Sequence, residues 1–196
     1  MYIYIGDDKG TVWVTQAVDE EFDEDCVVPT FKQSPLRVML WGCIMKGRKD
    51  PLVVLEYPGG RGGGMTAKRY QDQVLEPVLK PFYEQMTTER GQVLFQQDWA
   101  FGHCAKTTVA YLDSHAIKLF PHPAKSPDMS PIEPLWNTLK KLIHKCPHIP
   151  TNLDELIQAA REAWDEITEA NIDAHVKHMG DRVKDVLKAK GGHTRF

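Results

Sequence analysis

Residues 92–98 read Gln92-Val93-Leu94-Phe95-Gln96-Gln97-Asp98, a short apolar run that ends in an acid. A run of this length is typical of a buried strand. The residues that follow predict a short helix over 105–114 and a further strand over 117–120. In this strand-helix-strand order, Asp98 lies at the carboxyl end of the first strand. Open α/β sheets place their ligand crevices at such ends.

The residues before this run predict antiparallel strands joined by turns. Residues 1–5 and 11–15 are rich in aromatic and β-branched side chains and flank a Gly-containing turn, which predicts a hairpin. The apolar runs at 36–44 and 52–57 predict a second hairpin. The Gly-rich stretch 58–64 lacks the Lys-Ser/Thr pair that closes a phosphate-binding loop, so we interpret it as a flexible connection.

Four helices are predicted around and after these strands. The first covers about residues 67–85, where two prolines are expected to kink or split it. The second opens after the Pro-rich loop 121–131, the third starts at a capping box formed by Thr151 and Asp154, and the last spans about 172–187. The predicted apolar faces of the first two helices consist of Tyr70, Val74, Val78 and Phe82, and of Leu135, Trp136, Leu139, Leu142 and Ile143. The predicted fold class is α/β, a mixed sheet flanked by helices.

Composition excludes several classes of protein. The chain has 196 residues, 42% of them hydrophobic, and a net charge of −3, which is ordinary for a soluble globular domain. Residues 1–31 carry a net charge of −7 and the remainder +4. This balance argues against binding nucleic acid through bulk charge alone. The acidic run 19–25 lacks the spacing of a calcium loop, so we interpret it as a solvated turn.

Cysteine spacing and hydropathy limit the location of the protein. Four cysteines lie far apart with no CxxC pair, and no signal peptide precedes them, which predicts reduced thiols in an intracellular protein. The segment 144–148 contains two histidines and a cysteine, but no second ligand pair stands at zinc-finger spacing. No apolar run approaches the roughly 18 residues of a transmembrane helix, so no membrane association is expected.

Two acids are the candidate functional residues. Asp98 ends the predicted strand, and Glu133 lies in the first turn of the helix after loop 126–131. Two carboxylates brought together there would be hard oxygen ligands suited to Mg²⁺ or Mn²⁺. The alternatives stay open at this point: Ser130 and Glu133 have the spacing of a capping box, and Asp98 has the surroundings of a turn residue.

Two motifs resemble those of mariner-type transposases. Phe95-Gln96-Gln97-Asp98, with His103 five residues on, is similar to the second acidic motif of that family, and residues 126–136, Ser-Pro-Asp-Met-Ser-Pro-Ile-Glu-Pro-Leu-Trp, are similar to the third. The separation of 34 residues between Asp98 and Glu133 is that of the Tc branch, of the Asp-Asp-Glu type. Further matches at 38–44 and 191–194 extend the likeness over nearly the whole chain.

The resemblance implies a ribonuclease H-like fold over residues 1–196 as one catalytic domain. In the family, three acids bind two divalent metal ions, Mg²⁺ or Mn²⁺, for cleavage of transposon ends and strand transfer into target DNA. It implies that Asp98 is the second metal ligand, that Glu133 is the third, and that His103 has a supporting role. Nuclear localisation and DNA as the partner follow from the same resemblance, which leaves a homodimer open.

The sequence departs from the family pattern in three places. The first acid of the family would fall about two positions upstream of Met1, and the helix-turn-helix region that precedes it is also missing. Asp7 and Asp8 are poor substitutes, since a strand advances about 3.3 Å per residue and they would lie roughly 25 Å along the chain. Trp99 stands where the family has a small or amide residue, and a bulky indole is expected to narrow the site.

These observations support one leading hypothesis and two alternatives. The leading hypothesis is a transposase catalytic domain cut at its N-terminus, a fragment or decayed copy, with little or no activity by itself. The first alternative is a non-catalytic module, domesticated or not, that uses the same fold to bind DNA or protein. The second is a ribonuclease H-like nuclease unrelated to transposition.

Overall fold

A three-stranded antiparallel sheet forms the centre of the fold. The computed structural model describes residues 1–4, 36–59, 63–124 and 126–190. Strands β1 (Tyr2–Tyr4), β2 (Arg37–Trp41) and β5 (Val53–Leu55) pair in the order β1-β2-β5. The pairing of β2 with β5 confirms the hairpin predicted for 36–44 and 52–57. The predicted partner of β1, residues 11–15, lies outside the described residues, and β1 pairs with β2.

A second, smaller hairpin extends from the end of β2. It consists of β3 (Ile44–Met45) and β4 (Arg48–Lys49), with Gly47 at a positive φ of 70° in the turn. Glycine adopts that left-handed conformation without steric cost. The Gly47 amide donates to the carboxylate of Asp173 at 2.6 Å, so the turn is tied to a helix far along the chain.

The long helix after residue 66 changes its geometry along its length. It consists of α1 (Ala67–Tyr70), a π-helical segment (Gln71–Leu79) and α2 (Lys80–Arg90). The predicted apolar face is confirmed at Tyr70 and Val74, which are fully buried, whereas Val78 and Phe82 are only half-buried. Hydrogen bonds from i to i+5 shift the inward face by about one residue per turn, and Pro77 lacks the amide of a regular helix. The buried residues are therefore Tyr70, Val74, Leu75, Leu79, Tyr83 and Met86.

The strands predicted at 92–97 and 117–120 are much shorter than expected. Among the described residues they are reduced to one parallel bridge between Phe95 and Leu119, closed by backbone hydrogen bonds of 2.8 Å. Phe95 is buried, but Leu94 and Leu119 are exposed. Within residues 92–97, only Phe95 is therefore as buried as a residue inside a sheet. Between the two segments lie α3 (Phe101–Cys104) and α4 (Lys106–Ser114).

Four helices complete the chain. They are α5 (Glu133–His144), α6 (Leu153–Glu166), α7 (Glu169–Lys177) and α8 (Met179–Lys188). The side chain that caps α6 belongs to Asn152, which accepts from the Glu155 amide at 2.9 Å, so the predicted Thr151 box is displaced by one residue. The prediction of a single last helix was also wrong, because the helix is interrupted at His178, between α7 and α8.

The core on one side of the sheet is built around two stacked indoles. The rings of Trp136 on α5 and Trp164 on α6 lie 5.3 Å apart, and Gly42 contacts both. A β-carbon at Gly42 would lie 3.0 Å from Trp136 and 3.2 Å from Trp164, which explains why the strand end carries a glycine. The predicted face of α5 is confirmed, since Leu135, Trp136, Leu139 and Ile143 are all buried. On the other side of the sheet, Phe95 and the long helix form a second cluster.

The described residues include three of the four cysteines. Cys43, Cys104 and Cys146 are free thiols, while Cys26 lies outside the described part of the chain. No helix in that part is long and apolar enough to cross a bilayer. The acidic run 19–25 and residues 191–194 also fall outside it.

Candidate active site

Asp98 follows the Phe95 bridge and is held by two hydrogen bonds. Its Oδ1 accepts from the Ala100 amide at 3.0 Å and lies 2.5 Å from Nδ1 of His103. The hydrogen bond from His103 is the main reason that the pKa of Asp98 falls to about 2. A carboxylate with this pKa is ionised throughout the physiological range. His103, to which the resemblance gives a supporting role, is therefore in direct contact with Asp98.

His103 is fixed on its other sides by the long helix and by the Asp98 segment. Its ring packs at 4.4 Å from the ring of Tyr70, which is fully buried. Its carbonyl accepts from the side-chain amide of Gln97 at 3.2 Å, and the Tyr70 hydroxyl lies 3.1 Å from the Gln97 amide oxygen. The imidazole beside Asp98 thus has a defined orientation.

Glu133 is the first residue of α5. The N-cap is Ile132, which makes no side-chain cap, so the capping box considered for Ser130 and Glu133 is not the arrangement found. Burial raises the pKa of Glu133 above its usual value; the positive amino group of Met1 lowers it, and the negative charge of Asp98 raises it by a smaller amount.

Both acids line one cavity of about 490 Å³. Met1 lies at the same cavity, where its amino group donates to the Leu40 carbonyl at 2.7 Å. Burial lowers the pKa of that amine, while Glu133 and Asp98 raise it. The N-terminal end of β1 therefore adjoins the two carboxylates.

Sequence reasoning missed two residues that join the segments around the acids. The amide nitrogen of Gln96 donates to the Met129 carbonyl at 3.1 Å and lies 2.9 Å from Nδ1 of His122. Arg182, on α8 and 6% exposed, donates to the carbonyls of Asp128 and Ser130 at 3.0 and 3.3 Å. Gln96 stands within a quoted motif, but its partner is 33 residues away, so no local pattern indicates the contact.

Trp99 does not narrow the site as expected. Its side chain is 61% exposed and is absent from the residues that line the cavity. The indole N–H donates to the His122 carbonyl at 2.7 Å, which holds the ring at the protein surface. The expectation assumed that a side chain next to Asp98 must share its direction, whereas this hydrogen bond decides the orientation.

The described residues supply two carboxylates to the site. No group of three or more His, Cys, Asp or Glu side chains with metal-binding geometry occurs within that part of the chain. Mg²⁺ is commonly held by one or two carboxylates together with water and substrate phosphates. The donor set of Asp98 and Glu133 therefore fits a hard divalent cation whose remaining ligands come from elsewhere.

The chain is similar in sequence to known transposases, although no protein-family model matches it. It is 28% identical to the Tcb2 transposase of Caenorhabditis briggsae over 187 residues, which cover 95% of this chain and 64% of that protein. It is 29% identical to the Tc3 transposase of Caenorhabditis elegans over 159 residues, which cover 81% of this chain and 46% of that protein. The chain thus spans less than two thirds of either relative.

Solved structures agree on the fold. The catalytic domain of Mos1 mariner transposase superposes with a TM-score of 0.68 at 18% identity, covering 85% of this chain and 80% of that one. The chain is thus similar in sequence to Tc transposases and in fold to the catalytic domain of Mos1 mariner transposase. The ribonuclease H-like α/β fold is confirmed.

Two other Mos1 structures bear on the Tc/mariner chemistry. One contains the catalytic domain with raltegravir and Mg, at a TM-score of 0.67 and 17% identity, covering 81% of this chain and 78% of that one. Another is a paired-end complex with the left transposon end, at a TM-score of 0.68 and 17% identity, covering 98% of this chain and 54% of that one. Each of these relatives and neighbours is a transposase by name.

Proposed function

We propose that this domain performs the metal-dependent DNA cleavage and strand transfer of a Tc/mariner-type transposase. The observation that carries the proposal is that Asp98 and Glu133 line one cavity. Transposon ends and target DNA are the proposed substrates, in the nucleus, and the paired-end Mos1 complexes favour a homodimer. Both acids stand in the motifs that resemble those of the family.

Asp98 and Glu133 are the residues that would hold the divalent ions, which we propose to be a pair of Mg²⁺ or Mn²⁺. Such ions, when bound, activate the attacking oxygen and stabilise charge on the scissile phosphate. Carboxylate oxygens have the hardness these cations prefer. Because the pKa of Asp98 is about 2, this carboxylate needs no deprotonation to act as a ligand.

His103 is proposed to act as a positioning residue for Asp98. It holds Oδ1 at 2.5 Å and is itself packed against the buried Tyr70. A fixed carboxylate binds a cation with a smaller loss of side-chain freedom than a mobile one. Gln96 has the same effect at longer range, because it joins the Asp98 segment to the loop before Glu133.

A third carboxylate is proposed at the N-terminal end of β1. Met1 lines the cavity, so a residue placed about two positions before it would extend from the strand end beside Asp98 and Glu133. This is where the family resemblance expects the first acid. We therefore expect a chain extended upstream by Asp-Glu to cleave DNA more efficiently than residues 1–196 assayed by themselves.

Metal-binding calorimetry and DNA nicking test the proposal on both chains. Mn²⁺ should bind the 196-residue chain, and binding should be lost in Asp98→Asn and in Glu133→Gln. The matched control is Glu166→Gln, an exposed carboxylate on α6 outside the cavity. Nicking of a transposon-end duplex should appear in the extended chain and disappear with Asp98→Asn. Unchanged Mn²⁺ binding in both variants, or nicking that survives Asp98→Asn, would refute the proposed site.

A further inference from the structure

Two aromatic side chains next to Asp98 are exposed to an unusual degree. Trp99 is 61% exposed and Phe101 is 82% exposed, although both are large apolar groups within three residues of the acid. Large aromatic rings are usually buried in a core, and isolated exposure of one ring needs no explanation. Two exposed rings within three residues after a candidate catalytic carboxylate point to a ligand for that surface.

The Trp99 ring is anchored at its edge while its faces stay accessible. Its indole N–H donates to the His122 carbonyl at 2.7 Å. His122 is in turn linked through Nδ1 to Gln96, which joins the two acid-bearing segments. The orientation of the indole therefore depends on the same contacts that join the two acid-bearing segments. Because the side chain is already restrained, binding a ligand costs less conformational entropy.

The backbone between the two rings is also ordered by Asp98. The Ala100 amide donates to Oδ1 of Asp98 at 3.0 Å, and α3 begins directly afterwards at Phe101. Phe101 thus projects from the first position of a short helix whose next residues include His103. Lys106, which opens α4, is exposed and supplies a positive charge on the same stretch.

We propose that Trp99 and Phe101 form a stacking surface for an unpaired nucleobase beside the scissile phosphate. The proposal rests on the proposed function, since it assumes DNA at the Asp98 site. Within a duplex both faces of a base are covered by its neighbours, so only an unpaired or extruded base can stack on a side chain. Base-aromatic stacking tolerates any sequence, because every base has a π-face.

The surface therefore selects the state of the DNA and not its sequence. Cleavage at a transposon end leaves a terminal nucleotide that no longer has a covalent neighbour on one side. A ring one residue from Asp98 would hold that nucleotide while the carboxylates act on its phosphate. We expect tighter binding of ends with a single unpaired nucleotide than of blunt duplexes of the same length.

Fluorescence of 2-aminopurine tests this interaction without metal or cleavage. The probe is a short duplex with one unpaired terminal 2-aminopurine, compared with the same duplex fully paired, both in EDTA. The intact chain should quench the unpaired probe and bind it more tightly than the paired one. Trp99→Ala should abolish the quenching and weaken binding of the unpaired probe roughly tenfold, with binding of the paired duplex unchanged.

Two further variants separate stacking from a general loss of structure. Trp99→Phe keeps a ring and should retain most of the preference, whereas Ile149→Ala removes another exposed apolar side chain, 68% exposed, and should change nothing. Equal affinity of the intact chain and Trp99→Ala for the unpaired probe would overturn the proposal, as would an equal loss for both probes. Mn²⁺ binding that depends on Asp98, measured in parallel, keeps the proposed function standing if the stacking fails.

Discussion

The side-chain amide of Gln96 donates a 3.1 Å hydrogen bond to the backbone carbonyl of Met129. Gln96 lies two residues before Asp98, and Met129 lies four residues before Glu133. One hydrogen bond therefore connects the two chain segments that carry the acids. Residues that orient metal ligands typically affect metal affinity 10–100-fold when they are mutated.

Gln96→Leu should weaken Mn²⁺ binding by about tenfold. The change removes the amide donor at nearly constant volume, so the Asp98 segment and the loop before Glu133 lose their connection. Titration calorimetry measures the effect. Gln158→Leu is the control, because Gln158 lies on α6 and bonds only with Glu162 of the same helix in the described contacts. An affinity equal to that of the unmodified chain would show that the connection does not position the acids.

Metal binding should weaken in acid because of Glu133 and not because of Asp98. Asp98, with a pKa of about 2, stays ionised, whereas burial raises the pKa of Glu133 above 4.5. As pH falls through the raised pKa of Glu133, a proton competes with the cation for this carboxylate. Mn²⁺ affinity measured between pH 4 and 7 should therefore fall toward the acid end of the range. An affinity that stays constant over this range would show that Glu133 does not bind the cation.

Gly42→Ala should destabilise the fold by about 1–3 kcal/mol. Its β-carbon would approach Trp136 to 3.0 Å and Trp164 to 3.2 Å, and two stacked indoles have little freedom to move. Gly180→Ala is the contrasting variant, because a β-carbon there meets nothing within 4 Å and the residue is helical. That change should stabilise by up to about 1 kcal/mol. Urea unfolding of both variants tests the difference, and equal effects would contradict it.

Asp50→Asn should reduce the pH dependence of stability between pH 4 and 7. Burial raises the pKa of Asp50 to about 6, from an ordinary value of 3.8. The folded chain therefore binds this proton more tightly than the unfolded chain. The resulting stabilisation is complete below pH 3.8 and is lost as pH rises through 6.

The size of this effect follows from the shift in the pKa of Asp50. A difference of about two units corresponds to about 3 kcal/mol between the ends of the pH range. Urea unfolding at several pH values should give a steeper slope for the unmodified chain than for Asp50→Asn. Asp154→Asn, an exposed acid at the start of α6, serves as the control. Identical slopes for Asp50→Asn and the unmodified chain would refute the assignment.

Local sequence patterns correctly predicted the elements that are determined by residues close together in the sequence. Helix α5 begins at Glu133 and buries four of the five predicted residues, because its apolar spacing and its Pro-rich approach are encoded side by side. The pairing of β2 with β5 follows in the same way from two apolar runs and a short connection.

Elements that depend on distant residues could not be predicted. The inward face of the long helix shifts because Gln71–Leu79 is π-helical, whereas the prediction assumed the α-helical period over the whole segment. The strand expected at 92–97 is limited to the Phe95 bridge. Its length depends on backbone pairing with residues distant in the sequence. The contacts of Gln96 and Arg182 span 33 to 54 residues, so no short pattern indicates them.

Arg182→Lys should destabilise the fold and weaken metal binding together. Arg182 donates from one guanidinium nitrogen to the carbonyls of Asp128 and Ser130, and a lysine cannot reproduce that planar group. A hydrogen bond from a charged donor contributes about 1.5–3 kcal/mol to stability. We therefore expect Arg182→Lys to lower the free energy of unfolding by roughly 2 kcal/mol. Because the two carbonyls belong to the loop that leads into Glu133, Mn²⁺ affinity should fall as well.

Lys188→Ala, an exposed basic residue on the same helix, is the control for Arg182→Lys. It should leave both the unfolding midpoint and the Mn²⁺ affinity unchanged. A loss of stability in Arg182→Lys with full Mn²⁺ affinity would mean that α8 supports the fold without positioning Glu133. A parallel loss of stability and of Mn²⁺ affinity would instead show that α8, through Arg182, helps to position Glu133.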